Sequence, residues 1–242
     1  MSSRLYFLPA AVAAAVLAAS SAPAAPAVNH SDNDGTILSI DALTGFFTRF
    51  SDMNGTLVTV TYEDNTTAIA SFMDTGPDAG EAYNPDNFLV FGSGDTFDQN
   101  WTLENLSNLG IARIEFNGLP GNTLWDRTDP NPGTAGSAQG RDFEFVSSTD
   151  PDIANGNIDI DVLYENAVKL DSAAEPIRDL YSLYAITFLN DSGPGFLPPR
   201  TILVYRQDAD NAGIIPETST VLSGLALAGL GLVAVFRRFR RA

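Results

Sequence analysis

Hydrophobic and polar residues alternate with a period of two through most of the middle of the chain. The clearest example is the run TLVTVTY at 56–62, which is followed by turn residues at 63–66 and a second alternating run at 67–73. This arrangement predicts a β-hairpin, because successive side chains of a half-buried strand point to opposite faces. The same pattern predicts further strands at 87–91, 111–116, 122–125, 142–146, 158–164, 180–189 and 201–206.

Turn-forming Gly, Asn, Asp and Pro residues separate these runs, for example at 117–121 and 190–195. Roughly nine short strands with such turns favour a mainly β fold, an antiparallel β-sandwich or jelly roll. The polar segment 28–36 is predicted to be a loose arm, and 165–178 to hold a short helix. The segment 128–140 lacks apolar anchors and is predicted to be a long loop, either flexible or placed over a binding face.

The first 27 residues have the three parts of a secretory signal peptide. Arg4 precedes an apolar stretch from Leu5 to Ala19, and a run of small residues ends in Ala25-Pro26-Ala27. We predict cleavage between Ala27 and Val28 by signal peptidase after passage through the export machinery. Cleavage after Ala24 and an uncleaved transmembrane anchor are the alternatives, although the apolar stretch is short for an anchor.

The C-terminal segment 214–242 has three parts of its own. It carries Pro216-Glu217-Thr218, then an apolar run at 221–236, then an arginine cluster. Sixteen helical residues span about 24 Å, a little less than the roughly 30 Å hydrocarbon core. We predict a transmembrane helix at 221–236, with the cytoplasmic side marked by Arg237, Arg238, Arg240 and Arg241. A buried core helix followed by a basic end is the alternative.

This tail resembles the PEP-CTERM sorting domain over residues 215–242. In that family a Pro-Glu-Pro motif precedes a transmembrane helix and an arginine-rich end; here Pro216 and Glu217 match, and Thr218 replaces the second proline. The resemblance implies a Gram-negative bacterium that makes extracellular polysaccharide, and recognition by an exosortase. It also implies an inner-membrane anchor before processing and a final place at the cell surface or in the extracellular matrix.

Removal of both ends leaves a strongly acidic middle, 28–213. The whole chain has 13 Lys and Arg against 30 Asp and Glu, a net charge of −17. Five of the arginines lie in the two ends, so the middle keeps eight basic residues and all but one of the acidic ones. Such a domain repels nucleic acid, which we exclude as a partner, and attracts divalent cations.

Several catalytic classes are excluded by residue counts. The chain has no cysteine and one histidine, His30, close to the predicted cleavage site. This argues against a Ser-His-Asp triad, a cysteine nucleophile and a histidine-rich zinc site. Carboxylate-based glycan hydrolysis remains open, but no spacing singles out a pair of acidic residues. We therefore assign no catalytic residue.

Two kinds of binding site are predicted from residue type. Asp32 and Asp34, in the sequence Asp32-Asn33-Asp34-Gly35, resemble half of a calcium loop, and 208–211 is another oxygen-rich segment. Structural calcium is the only cofactor predicted, with ordinary turn chemistry as the alternative. Trp101 and Trp125 are candidates for a saccharide-binding platform, joined by two tyrosines, Tyr83 and Tyr184. A role in the core is the alternative for these aromatic residues.

Three hypotheses for function follow. The first is a non-catalytic exported surface or matrix protein, held by its tail until it is processed. The second is a module that binds exopolysaccharide, which exposed paired aromatic residues would favour. The third is a secreted glycan-active enzyme, which a cleft with two carboxyl groups would favour. Buried tryptophans without such a cleft would favour the first.

Overall fold

The computed structural model describes residues 24–44, 47–128 and 133–213. Strands dominate these residues, so the prediction of a mainly β chain is confirmed. The strands are, in chain order, β1 (Val28–Asn33), β2 (Leu38–Ile40), β3 (Leu57–Tyr62), β4 (Thr67–Ser71), β5 (Met73–Asp74), β6 (Ala79–Asn84), β7 (Phe88–Ser93), β8 (Trp101–Asn105), β9 (Ile111–Asn117), β10 (Thr123–Asp126), β11 (Glu144–Ser148), β12 (Asp159–Leu170), β13 (Leu180–Asn190), β14 (Gly193–Pro194), β15 (Ile202–Arg206) and β16 (Asp208–Asn211).

Helical structure in the described residues is brief. One α-helical turn, α1 (Pro151–Ala154), and two 3₁₀ turns, Phe50–Met53 and Leu119–Gly121, connect strands. No helix in these ranges is long and apolar enough to cross a membrane. The predicted transmembrane helix at 221–236 and nearly all of the predicted signal peptide lie outside the described residues.

The strands form two sheets. The first has the order β1-β12-β13-β9-β3-β4, and β2, β10, β14 and β16 join it off this path. The second has the order β11-β15-β8-β7-β6-β5. Most neighbours are antiparallel, including the predicted hairpin β3–β4. The expectation of a wholly antiparallel arrangement is wrong at one edge, because β1 and β2 both pair with β12 in parallel.

The inner faces of the two sheets share an aromatic core. Trp101 of the second sheet lies with its ring centroid 5.9 Å from those of Phe116 and Trp125 in the first sheet. Tyr205 stacks on Trp101 at 5.9 Å, and Phe50 packs against its edge at 4.7 Å. All five side chains are fully buried. Burial of such large apolar areas is the main stabilising contribution to a fold of this kind.

Two sequence predictions are corrected by β1 and β12. Residues 28–33 form β1 rather than a loose arm, because all six pair in register with Ile160–Glu165. The segment predicted to be a short helix after residue 165 instead continues β12 to Leu170. Asn166 lies within this extension with a left-handed φ of 60°, and its side-chain oxygen accepts a hydrogen bond from the backbone N–H of Thr36 at 3.1 Å.

Candidate functional site

The two tryptophans predicted to bind saccharide are core residues. Trp101 and Trp125 are both 0% exposed, and their ring nitrogens donate to the backbone oxygens of Gln207 and Phe116 at 2.8 and 3.2 Å. A sugar cannot reach either indole face in this structure, so the assignment of these two residues to a binding platform is corrected. Tyr184 is buried as well, and only Tyr83 of the proposed four is exposed.

The two aspartates predicted to hold calcium are engaged by arginines. The Asp32 carboxylate lies 3.0 Å from Nη1 of Arg127, and that of Asp34 lies 2.7 Å from Nη2 of Arg178. The hydrogen bond from Arg178 lowers the pKa of Asp34. Since each carboxylate is paired with a different guanidinium, the two do not form a common cation site in this arrangement.

The predicted processing residues fall at or beyond the ends of the described chain. Ala27 is described: its N–H donates to Asp159 at 3.1 Å and its C=O accepts from Ile160 N–H at 2.9 Å. Val28 is the first residue of β1. The sorting motif Pro216, Glu217 and Thr218 and the basic residues Arg237, Arg238, Arg240 and Arg241 lie outside the described residues.

The outer face of the second sheet carries the most exposed aromatic residues of the described sheets. Tyr83 on β6 is 47% exposed and Phe91 on β7 is 41% exposed. Phe91 lies opposite Glu81 and Thr102, and Tyr83 lies opposite Leu89. Tyr83 and Phe91 are therefore diagonal neighbours on one face, a relation that places residues roughly 7–8 Å apart. We call this surface, with Glu81, Leu89, Thr102 and Glu104, the outer aromatic face.

A second unusual feature is a layer of buried acidic residues on the outer side of the first sheet. Asp126 on β10 lies directly opposite Asp208 on β16, and Leu124 lies opposite Asp210. Opposite residues of a strand pair point to the same face, so the three aspartates share one side of the two strands. They are 1%, 6% and 2% exposed respectively. We call Asp126, Asp208 and Asp210, together with Asp179, the acidic layer.

The loop at 133–142 covers this layer and is attached to it through hydroxyl groups. Thr134 donates from Oγ1 to Asp179 at 2.7 Å, and Ser137 lies between Asp126 and Asp210. At Gly140 a Cβ would lie 2.3 Å from the backbone oxygen of Arg127 and 2.4 Å from Oδ1 of Asp126. Only glycine therefore allows the loop to approach this closely.

Burial sets the protonation of the layer. Burial raises the pKa of Asp126 to about 10, and repulsion from the charge of Asp210 acts in the same direction. Desolvation also raises the pKa of Asp208 to about 7, against a hydrogen bond from Thr96 that acts in the opposite direction. Within the described ranges none of the ion pairs includes Asp126, Asp179 or Asp208. These carboxyl groups are thus buried without compensation from a described arginine or lysine, which is costly when they are ionised.

Sequence reasoning found part of this layer and missed the rest. The sequence marks 208–211 as rich in oxygen ligands, and in the structure this segment forms β16. Asp126 and Ser137 were not singled out. The available signals were weak: Asp126 directly follows a predicted strand, and Ser137 lies in the predicted long loop 128–140.

Comparison of the chain with known proteins gave no match to a family model, a curated protein or a solved structure.

Proposed function

We propose that this chain is an exported surface or extracellular-matrix protein of a Gram-negative bacterium, sorted through its PEP-CTERM-like tail and without a catalytic role. Its central region is a β-sandwich that supplies a stable body for the sorted protein. The observation that carries this proposal is the order of three elements at 215–242: the Pro216-Glu217 motif, the apolar run and the arginine cluster. Among the described residues the last strand, β16, ends at Asn211, before this segment.

The interior of the body supports a non-catalytic role. Both tryptophans lie in the core, and the closely spaced carboxyl groups of Asp126 and Asp210 are 1% and 2% exposed beneath a loop. A glycosidase needs its two carboxyl groups in contact with the substrate. Burial of this pair therefore argues against hydrolysis at the acidic layer.

The sorting step is tested in an exosortase-positive Gram-negative host and its isogenic exosortase deletion. The full chain is followed by fractionation and by the intact mass of the protein that reaches the surface. We expect a processed form only in the positive host, and retention of the P216A/E217A variant at the inner membrane. I69A, a change on an exposed strand residue of the body, is the matched control and should be processed normally. Identical processing in both hosts would overturn the proposal.

The outer aromatic face favours a second candidate function, binding of exopolysaccharide. Exposed Tyr83 and Phe91 offer apolar ring faces against which the C–H faces of sugars pack, and neighbouring Glu81, Thr102 and Glu104 offer hydrogen-bonding groups for hydroxyls. In this candidate site Tyr83 and Phe91, on the exposed face of the second sheet, take the place of the buried Trp101 and Trp125.

Saccharide binding is tested by titrating the full chain in mild detergent with exopolysaccharide from the producing strain. We expect saturable binding that is lost in the Y83A/F91A variant and retained in I69A, whose side chain is 57% exposed on the first sheet. Equal binding by both variants would remove the outer aromatic face from consideration.

A further inference from the structure

The hydroxyl of Ser137 lies among three other oxygen atoms. Its Oγ lies 2.8 Å from Oδ2 of Asp126, 2.7 Å from Oδ2 of Asp210 and 2.8 Å from the carbonyl oxygen of Ala138. A serine hydroxyl donates one hydrogen, and an ionised carboxylate and a carbonyl only accept. With both aspartates ionised, only one of these three contacts is a hydrogen bond. The remaining oxygens are then held together by a proton on a carboxyl group or by a bound cation.

The second oxygen of Asp126 is also without a partner. Its Oδ1 is buried and has no hydrogen-bond partner among the described residues, while the residue as a whole is 1% exposed. A buried carboxylate oxygen in this condition is unfavourable unless a ligand reaches it. Asp126 therefore presents one free oxygen in addition to the oxygen that faces Ser137.

The neighbouring arginine does not supply the missing charge. Arg127 follows Asp126 on the chain, but its guanidinium binds Asp32 and Asp142 at 3.0 and 2.9 Å and lies over the ring of Tyr164. Successive side chains at the end of a strand point to opposite faces, which separates this guanidinium from the acidic layer.

We propose that a calcium ion binds where the loop meets the acidic layer, held by the carboxylates of Asp126 and Asp210, the hydroxyl of Ser137 and the carbonyl oxygen of Ala138. The other three oxygens lie 2.7 to 2.8 Å from Ser137 Oγ, and such a group of oxygen donors is the chemistry that Ca²⁺ prefers. Ca²⁺ accepts six to eight oxygens in irregular geometry, so the loop carbonyl, a bidentate carboxylate and water complete a shell that the smaller, octahedral Mg²⁺ would not favour. The ion ties the loop 133–142 to β10 and β16.

The proposed donor set differs from a cluster of acidic or histidine side chains. Among the described residues no group of three or more Asp, Glu, His or Cys side chains is placed to hold a metal ion. The proposed site uses only two carboxylates, and the rest of its donors are a hydroxyl and a backbone carbonyl. Asp208 lies alongside, but we do not include it among the ligands. Its Oδ1 already accepts hydrogen bonds from Thr96 Oγ1 and from the Ala209 N–H, each at 2.8 Å.

The direct test is calorimetric titration of the full chain, purified in mild detergent after treatment with EGTA, with CaCl₂ and separately with MgCl₂. We expect one saturable calcium site per chain and a much weaker response to magnesium. Thermal unfolding should shift upward with the logarithm of free calcium above Kd. Hydrogen exchange of the backbone at 133–142 should slow when calcium is bound, because the ion holds this loop.

Variants separate this site from the other acidic residues. D126N and D210N should lose saturable binding, and S137A, which keeps both carboxylates, should weaken it by about tenfold. D32N/D34N removes carboxylates that are held by arginines elsewhere and should bind as the unchanged protein does. The wild-type titration keeps the proposal falsifiable if D126N or D210N fails to fold.

Two outcomes would overturn the proposal. One is the absence of saturable calcium binding by the wild-type chain, in which case shared protons hold the oxygens around Ser137. The other is binding that D126N, D210N and S137A leave unchanged while D32N/D34N abolishes it, which would move the site to β1.

Discussion

Trp125 and Asp126 are neighbours on β10, yet they enter two very different environments. Trp125 points into the core between the sheets, where aromatic rings lie 4.5 to 5.9 Å apart, as its contacts with Tyr184, Phe116 and Trp101 show. Asp126 points to the other side, into the acidic layer beneath the loop 133–142. A small apolar cluster of Leu124, Leu180 and three other residues borders that layer.

The two faces of the first sheet at β10 are thus covered in different ways, one by aromatic side chains and the other by the acidic layer and the loop 133–142. The aromatic core is stable by itself, because burial removes apolar surface from water and the rings fill the space between the sheets. The acidic layer is not, because buried carboxyl groups stabilise the fold only when protons, donors or a cation compensate them. The first region therefore governs stability under all conditions, and the second makes stability depend on pH and ions.

The largest effect is expected from truncation in the aromatic core. W101A removes a side chain that contacts Phe50, Phe72, Phe116, Trp125 and Tyr205 and should lower the free energy of unfolding by about 3–5 kcal/mol. Urea unfolding followed by circular dichroism measures this loss. I69A, at an exposed strand position, should change stability by less than about 0.5 kcal/mol. Similar losses in both variants would mean that Trp101 is not at the centre of the core.

The acidic layer should make the cation-free protein less stable as pH rises. In the folded state the pKa of Asp126 is raised from 3.8 to about 10. Stability is therefore greatest at low pH, where this carboxyl is protonated in both the folded and the unfolded chain. It falls as the pH rises and the carboxyl ionises in the unfolded chain alone. The loss is up to about 1.4 kcal/mol per pH unit for this one carboxyl. The acidic groups that face it are Asp179, Asp208 and Asp210.

Urea unfolding in EGTA between pH 5 and 9 measures this slope. Asp34, whose pKa is lowered, contributes in the opposite direction, but only at pH values below this window. D126N should flatten the slope because the amide does not ionise. Stability that is constant or increasing over the window would show that the layer is not protonated as described.

Sequence reasoning succeeded where a strand has one apolar face and a local turn. The hairpin β3–β4 was predicted because residues 56–62 alternate and residues 63–66 form a turn. The strand β8 was overlooked although it also alternates: Trp101 and Leu103 are buried, and Thr102 and Glu104 are partly exposed. The exposure of a particular aromatic residue depends on which sheet face it occupies, and residue type alone assigned Trp101 wrongly to the surface.

The acidic layer could not be assembled from sequence because it depends on long-range pairing. Asp126 and Asp208 become direct neighbours only through the pairing of β10 with β16, and local patterns contain no information about that register. The helix expected after residue 165 is absent for a related reason, since pairing with β13 and β2 extends β12 to Leu170.

A smaller effect is expected at the single helical turn that brings Ile153 into the aromatic core. The side chain of Asp150 accepts hydrogen bonds from the backbone N–H groups of Asp152 and Ile153, each at 3.0 Å, and so caps this turn. D150A should cost about 1 kcal/mol by urea unfolding, whereas D150N and D150S should restore most of it because both residues cap well. Equal losses in all three variants would indicate that the carboxyl acts by its charge rather than as a cap.

The smallest effect is expected at the ion pair between Arg178 and Asp34, which contrasts with the buried carboxyl groups. The Arg178 side chain is 56% exposed and that of Asp34 is 34% exposed, so water and salt screen their attraction. R178Q should therefore lower the free energy of unfolding only slightly at neutral pH, and added salt should reduce the difference further. A larger loss in R178Q, insensitive to salt, would mean that this pair at the end of β1 fixes the parallel edge of the first sheet. Stability would then depend on charged groups at the surface as well as on those in the acidic layer.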